Sequence, residues 1–157
     1  MSSHRPVLDV DACQHITSTR PIGLVEESHM KVMKNDVDVK LELPGVVMRQ
    51  QLGFGDVAAY NEISGECFTL AQGIDTTPLF QGLDGDLCQC PHWGYVVHGV
   101  LTTTDSDGTT ETVRQHDLFY WPPGHNVRVD EDAEIVMFSP QREHSHVIDH
   151  MTEKVKG

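Results

Sequence analysis

The chain has 157 residues, 11 Lys+Arg against 24 Asp+Glu, and a formal net charge of −13. That length is one domain's worth, enough to bury a core without obligatory disulfides. So acidic a balance argues against nucleic acid and against an anionic membrane face, since both require a Lys/Arg surface. No apolar run approaches the roughly 20 residues of a membrane span. Met1–Val10 has no apolar core behind a basic start, so the expected compartment is the cytosol.

Residues 1–40 read as an N-terminal arm, because Pro6, Pro21 and Gly23 interrupt every apolar run and no helical period is sustained. Within it, Glu27–Asp38 could supply a short helical turn. From Leu41 the pattern changes to short β-type runs with punctuation. Val46–Leu52 is followed by a Gly53-Phe54-Gly55-Asp56 turn; Val57–Ile63 ends at Ser64-Gly65-Glu66, and Cys67–Ala71 ends at Gln72-Gly73.

Gly94–Thr104 is the clearest strand, and Asp105-Ser106-Asp107-Gly108 after it is a hairpin signal. Thr109–Arg114 returns, Asp117–Trp121 follows, and Asn126–Val129 comes after the Pro122-Pro123-Gly124 turn. Asp130-Glu131-Asp132 reads as a solvated hairpin turn before Ile135–Ser139 closes the set. Strands about 8–12 residues apart with turns between them predict an all-β antiparallel sandwich or barrel over 41–140. Residues 141–157 form a C-terminal tail, with a short helix that keeps one face solvated.

The chemistry-bearing segment is Leu87–Tyr95, in which Cys88, Cys90 and His92 stand at alternate positions. On an extended chain their side chains share one face, yet a straight strand would spread Cys88 and His92 by roughly 13 Å, too far for one ion. Pro91 favours a bend that folds the cysteines back toward His92. Thiolate with imidazole suits a borderline-soft ion, zinc first, with iron(II), nickel or copper as alternatives. Cys13 and Cys67 read as unpaired thiols. His125 follows a Pro-Gly turn, a place where a histidine by itself is ordinarily a surface residue.

These segments resemble the cupin family of small β-barrels. The first cupin motif ends on a Gly seven residues after a metal-binding Glu. Here Gly99 matches that Gly, His92 stands at the Glu position, and Cys88 and Asp86 fall near the two motif histidines. The second motif is Pro-x-Gly, then two intervening residues, then His. Pro122-Pro123-Gly124 matches it, but Val127 holds the family's His position and His125 stands two residues earlier, on the same strand parity. The run from Cys88 to Pro140 also looks like a bacterial cupin subgroup with Cys-x-Cys-Pro-His and Pro-Pro-Gly-His motifs.

The resemblance implies a single cupin (double-stranded β-helix, or jelly-roll) barrel with a divalent metal inside, most simply Zn2+, held by Cys88, Cys90, His92 and His125. If one of these is not a ligand, Cys88, farthest from the bend, is the expected absentee. Trp93, Tyr95 and Tyr120 are expected to line a pocket for a small organic ligand, with Phe119 and Trp121 beside them. His98, His116 and the C-terminal group His144, His146 and His150 are expected at the surface. Two functions follow. Four protein ligands make a closed site, the mark of a metal-binding protein without catalysis; three leave an open position and imply a metal-dependent lyase, isomerase, hydrolase or oxygenase. A homodimer, with the arm covering an exposed sheet edge, is also expected.

Overall fold

Period-2 alternation of apolar side chains builds this molecule. In the computed structural model, which describes residues 31–54 and 62–156, seven antiparallel strands form one sheet. They are β1 (Val39–Leu43), β2 (Val46–Gln51), β3 (Ile63–Leu70), β4 (His92–Asp105), β5 (Thr110–Arg114), β6 (Leu118–Trp121) and β7 (His125–Pro140). A short helix α1 (Thr77–Phe80) precedes β4, and a long one, α2 (Gln141–Lys156), follows β7. The order is β1-β2-β3-β7-β4-β5, with β6 pairing on the first residues of β4.

The inward positions of the two long strands make the core. Val96 and Leu101 of β4 meet Val127, Val129, Ile135 and Met137 of β7, with Trp121 of β6 and Val113 of β5 against them. A second apolar cluster joins Leu41, Met48, Phe80 and Cys88 to Val147, Ile148 and Met151 of α2. Together they give an all-β barrel capped by one helix.

Three expectations are corrected here. Asp130-Glu131-Asp132 is no hairpin turn: β7 runs unbroken through it for 16 residues. The bend that a turn would have supplied comes from irregular pairing of both strands, whose register shifts three times between Val96 and Leu101 of β4, opposite Ile135 to Val129 of β7. Gly99 sits in that bend at φ +91, and a Cβ there would lie 2.3 Å from the Asp132 carbonyl oxygen, so the Gly is dictated by close strand approach. Ser64-Gly65-Glu66 likewise lies inside β3, where Gly65 is the flat spot against the rings of Phe54 and Phe138.

The C-terminal segment, expected to be a tail with a short helix, is a 16-residue helix. His144, Val147, Ile148 and Met151 recur at i, i+3, i+4 and i+7 along its buried stripe.

Other expected elements stand close to their bounds. The hairpin after β4 closes through the Asp105 amide on the Thr109 carbonyl, with Gly108 at φ +83. Lys34–Asp36 forms a single 3-10 turn at the end of the arm. Residues 1–30 of the arm, with Cys13, and most of the expected Val57–Ile63 strand lie outside the described residues. Among the described residues no helix is long and apolar enough to cross a membrane.

Candidate metal centre

Cys88 and His125 are brought together by the backbone. The Cys88 amide donates to the His125 carbonyl at 2.9 Å, and the amides of Gly124 and His125 donate to the Cys88 carbonyl at 2.7 and 3.2 Å. Gly124, at φ +91, permits the reversal that makes this exchange possible. Pro91 offers no amide to a ladder, the chain bends after Cys88, and β4 begins only at His92. As a result the Cys88 Sγ lies 3.4 Å from His92 Nε2. Cys88, His92 and His125, all buried, place their donor atoms within 4.8 Å of one another.

Cys90 does not join them. Its Sγ lies 3.5 Å from the Pro91 carbonyl and 3.9 Å from that of Pro140, on the side of the bend toward α2. The same bend that recruits Cys88 breaks the alternation that would have put Cys90 on its face. Cys90, rather than Cys88, is therefore the thiol that stands apart.

Trp93, Tyr95 and Tyr120 are not in the interior. They are 50%, 38% and 50% exposed, because they occupy outward positions of β4 and β6, and Trp93 pairs with Tyr120 across the outer face. The inward neighbour Trp121 takes the place expected of them, 5% exposed and 5.7 Å from the His125 ring. His98 and His116 are exposed, as expected, whereas His144 is buried.

Sequence reasoning missed Glu66 and His144, which with His92 form a second buried group of closely spaced donors. Glu66 is 1% exposed and accepts four hydrogen bonds. Gln50 Nε2 (3.1 Å), Ser64 Oγ (2.6 Å) and His144 Nδ1 (2.6 Å) donate to its Oε1, and Ser139 Oγ (2.8 Å) donates to Oε2. That many donors is what compensates a buried carboxylate. Inward parity with Ser64 on β3 was the available signal for Glu66. For His144 it was the helical stripe shared with Val147, Ile148 and Met151.

This network sets the histidine tautomers. The single hydroxyl hydrogen of Ser139 is spent on Glu66, so at 2.7 Å His92 Nδ1 must donate to Ser139 Oγ. His125 Nδ1 faces the Pro122 carbonyl at 2.5 Å and must also donate. Both Nε2 lone pairs are thereby left free. A metal-ligating histidine usually has this arrangement, with its other N–H held by an oxygen. Burial, then the neighbouring His144 and His125, holds His92 well below its ordinary range. Burial also lowers His125, so both imidazoles are neutral. Burial pushes the Cys88 thiol up to about 11.

The donor set fits a borderline-soft divalent ion: one sulfur and two imidazole nitrogens, each ring oriented by a hydrogen bond from its Nδ1. Glu66 fits the role of ligand less well, since both its oxygens are already engaged. The three donors open on a cavity of about 70 Å³ lined mostly by apolar side chains of β2, β4, β7 and α2.

No protein-family model matches the sequence, and no curated protein matches it. Solved structures do match the fold. Oxalate decarboxylase from Bacillus subtilis is 21% identical with a TM-score of 0.50, over 75% of this chain and 30% of that one. The Lactobacillus farciminis oxalate decarboxylase formate complex is 17% identical with a TM-score of 0.52, over 76% and 34%. An RmlC-like cupin from Shewanella frigidimarina is 18% identical with a TM-score of 0.52, over 75% of this chain and 96% of that one. The chain thus spans about a third of those oxalate decarboxylases and nearly all of the small cupin. Its fold is the cupin barrel.

Proposed function

We propose that this cupin-fold chain binds one divalent metal, zinc first, through Cys88 Sγ, His92 Nε2 and His125 Nε2. The observation that carries the reading is the convergence of these three buried donors, with both histidine Nδ1 atoms committed elsewhere. Iron(II), nickel or copper are the alternative occupants.

Elemental analysis with X-ray absorption at the metal edge tests it. One sulfur and two nitrogens per metal support the assignment. Two sulfurs would restore Cys90 and the closed four-ligand site, and a metal-free protein that takes up none of the four ions would end the reading.

A catalytic role is the second reading, and it is favoured by the three-ligand count, which leaves a position toward the cavity. A metal there would supply Lewis-acid polarisation or an activated water for lyase, isomerase or hydrolase chemistry, or oxygenase chemistry if it is iron. The residues of this chain would bind the small molecule, exclude bulk water and hold the histidine tautomers.

We also propose a homodimer, formed across the outer face that exposes Trp93, Tyr95, Leu118, Tyr120 and Phe138. Light scattering giving a monomer mass at high concentration would refute it. A cytoplasmic setting is proposed from the composition, and the described cysteines Cys67, Cys88 and Cys90 are free thiols.

A further inference from the structure

The cavity of about 70 Å³ lies between the two apolar clusters of the core, lined by Leu101, Val127 and Ile135 of one and by Leu41, Met48 and Met151 of the other. Its rim is apolar as well, because Leu70, Ile74 and Leu79 line it while only half-buried. The polar side chains in the wall are Thr76, Cys88, His92, His125 and His144. Thr76 Oγ1 is fully engaged, donating to the Val127 carbonyl at 3.2 Å and accepting from the Val127 amide at 2.8 Å. Cys88, His92 and His125 are the candidate metal donors, within 4.8 Å of one another. His144 stands beside them, its ring centroid 4.5 Å from that of His92 and its Nδ1 on the buried Glu66 carboxylate at 2.6 Å. Trp121 Nε1 is sealed among its neighbours, so whatever the indole presents to the cavity is carbon.

The polar side chains with an atom to offer are thus gathered in one cluster, and the wall away from it has no side-chain donor or acceptor free. A buried water is held by about three hydrogen bonds, which that wall does not supply. Apolar cavities of this kind stay dry and take apolar guests, benzene or xenon in the case of one of roughly 150 Å³. At about 70 Å³ this cavity has near half that volume, which is room for about three carbon atoms.

We propose that the barrel cavity binds a short alkyl group, about three carbon atoms long, which lies between the two apolar clusters with any polar end turned to the Cys and His donors. The wall selects the body of the ligand by size and polarity, whatever head group meets the donors. This deepens the proposed function by naming the ligand class of the same cavity, while the alkyl contact itself needs no metal.

The test uses the full chain, metal-free and zinc-loaded, with xenon, ethane, propane and benzene as probes. Binding is read from the methyl signals of Leu70, Ile74 and Leu79 in a carbon-13 correlation spectrum. The expected result is a saturable shift of these signals with xenon and with propane, and no binding of benzene. Propane should bind about fourfold tighter than ethane, the worth of one buried CH2. Val127→Ile, one methylene larger at an inward strand position, should remove that preference. Methyl signals that neither xenon nor propane moves would overturn the inference in the unaltered chain, with no need for a folded variant. Benzene binding as tight as that of propane would also overturn it, as would a folded Val127→Ile protein that keeps the full preference. Metal analysis of the same samples is separate: a chain that takes up no metal but shifts these signals would refute the metal reading and keep this one, and a metal-binding chain whose signals no probe moves would do the reverse.

Discussion

Replacing Glu66 by Gln would act on the metal centre through two intervening side chains. Glu66 Oε1 accepts from Gln50, Ser64 and His144, and an amide oxygen at that position can keep all three. The other atom then becomes an NH2 group facing Ser139 Oγ, which at present donates to Glu66 Oε2 at 2.8 Å. Two donors cannot face each other, so the Ser139 hydroxyl must turn and offer its hydrogen to His92 Nδ1 instead, 2.7 Å away. His92 then carries its proton on Nε2, the atom now 3.4 Å from Cys88 Sγ. Three charge-assisted bonds become neutral and the fourth reverses, offset in part by the relief of burying an amide rather than a carboxylate. The net loss is on the order of 2 kcal/mol of folding stability. Metal affinity should fall about 10–100-fold, the usual effect of losing the partner that orients a ligating histidine. Isothermal titration with zinc and nitrogen-15 spectra of the imidazoles read the two effects separately. A folded Glu66→Gln protein that keeps the His92 proton on Nδ1 and full zinc affinity would refute the relay.

Substituting Gly99 by Ala should destabilise the barrel by at least about 3 kcal/mol in chemical denaturation, since a Cβ at φ +91 would meet the Asp132 carbonyl oxygen and the Ala133 Cα at 2.3 and 2.6 Å. Cys88→Ser and His125→Ala should each lower metal content, whereas Cys90→Ser and His98→Ala should leave it unchanged; equal losses by mass spectrometry of the metal would contradict the assignment. Burial depresses the folded pKa of His92 and His125 below the ordinary 6.5. The unfolded chain therefore takes up protons first as pH falls. Their contribution is complete above about pH 6.5 and is lost below it, by up to roughly 3 kcal/mol per pH unit until the folded values are reached. Urea midpoints measured between pH 7 and 5 should follow that slope in the metal-free protein. Because the Cys88 thiol is pushed up to about 11, zinc binding near pH 7 should release about one proton, and affinity should fall as pH drops; titration in buffers of different ionisation enthalpy counts it.

What the linear chain determined by itself was local. Period-2 alternation with Gly and Pro punctuation marks β2, β4, β5 and β6 within a few residues of their observed bounds. Pro91 predicts the bend that reduces a straight-strand separation of roughly 13 Å to the 3.4 Å between Cys88 Sγ and His92 Nε2. Tertiary structure decided which side of that bend each thiol occupies, because Cys88 is held by exchange with the His125 backbone, a partner 37 positions away. It also decided the fates of Glu66 and His144, hydrogen-bonded across 78 positions. A carboxylate in a strand and a histidine in a charged helix both read as surface residues, since nothing local offers them compensation. Their burial becomes affordable only when β2, β3, β7 and α2 close around one point and supply the four donors together.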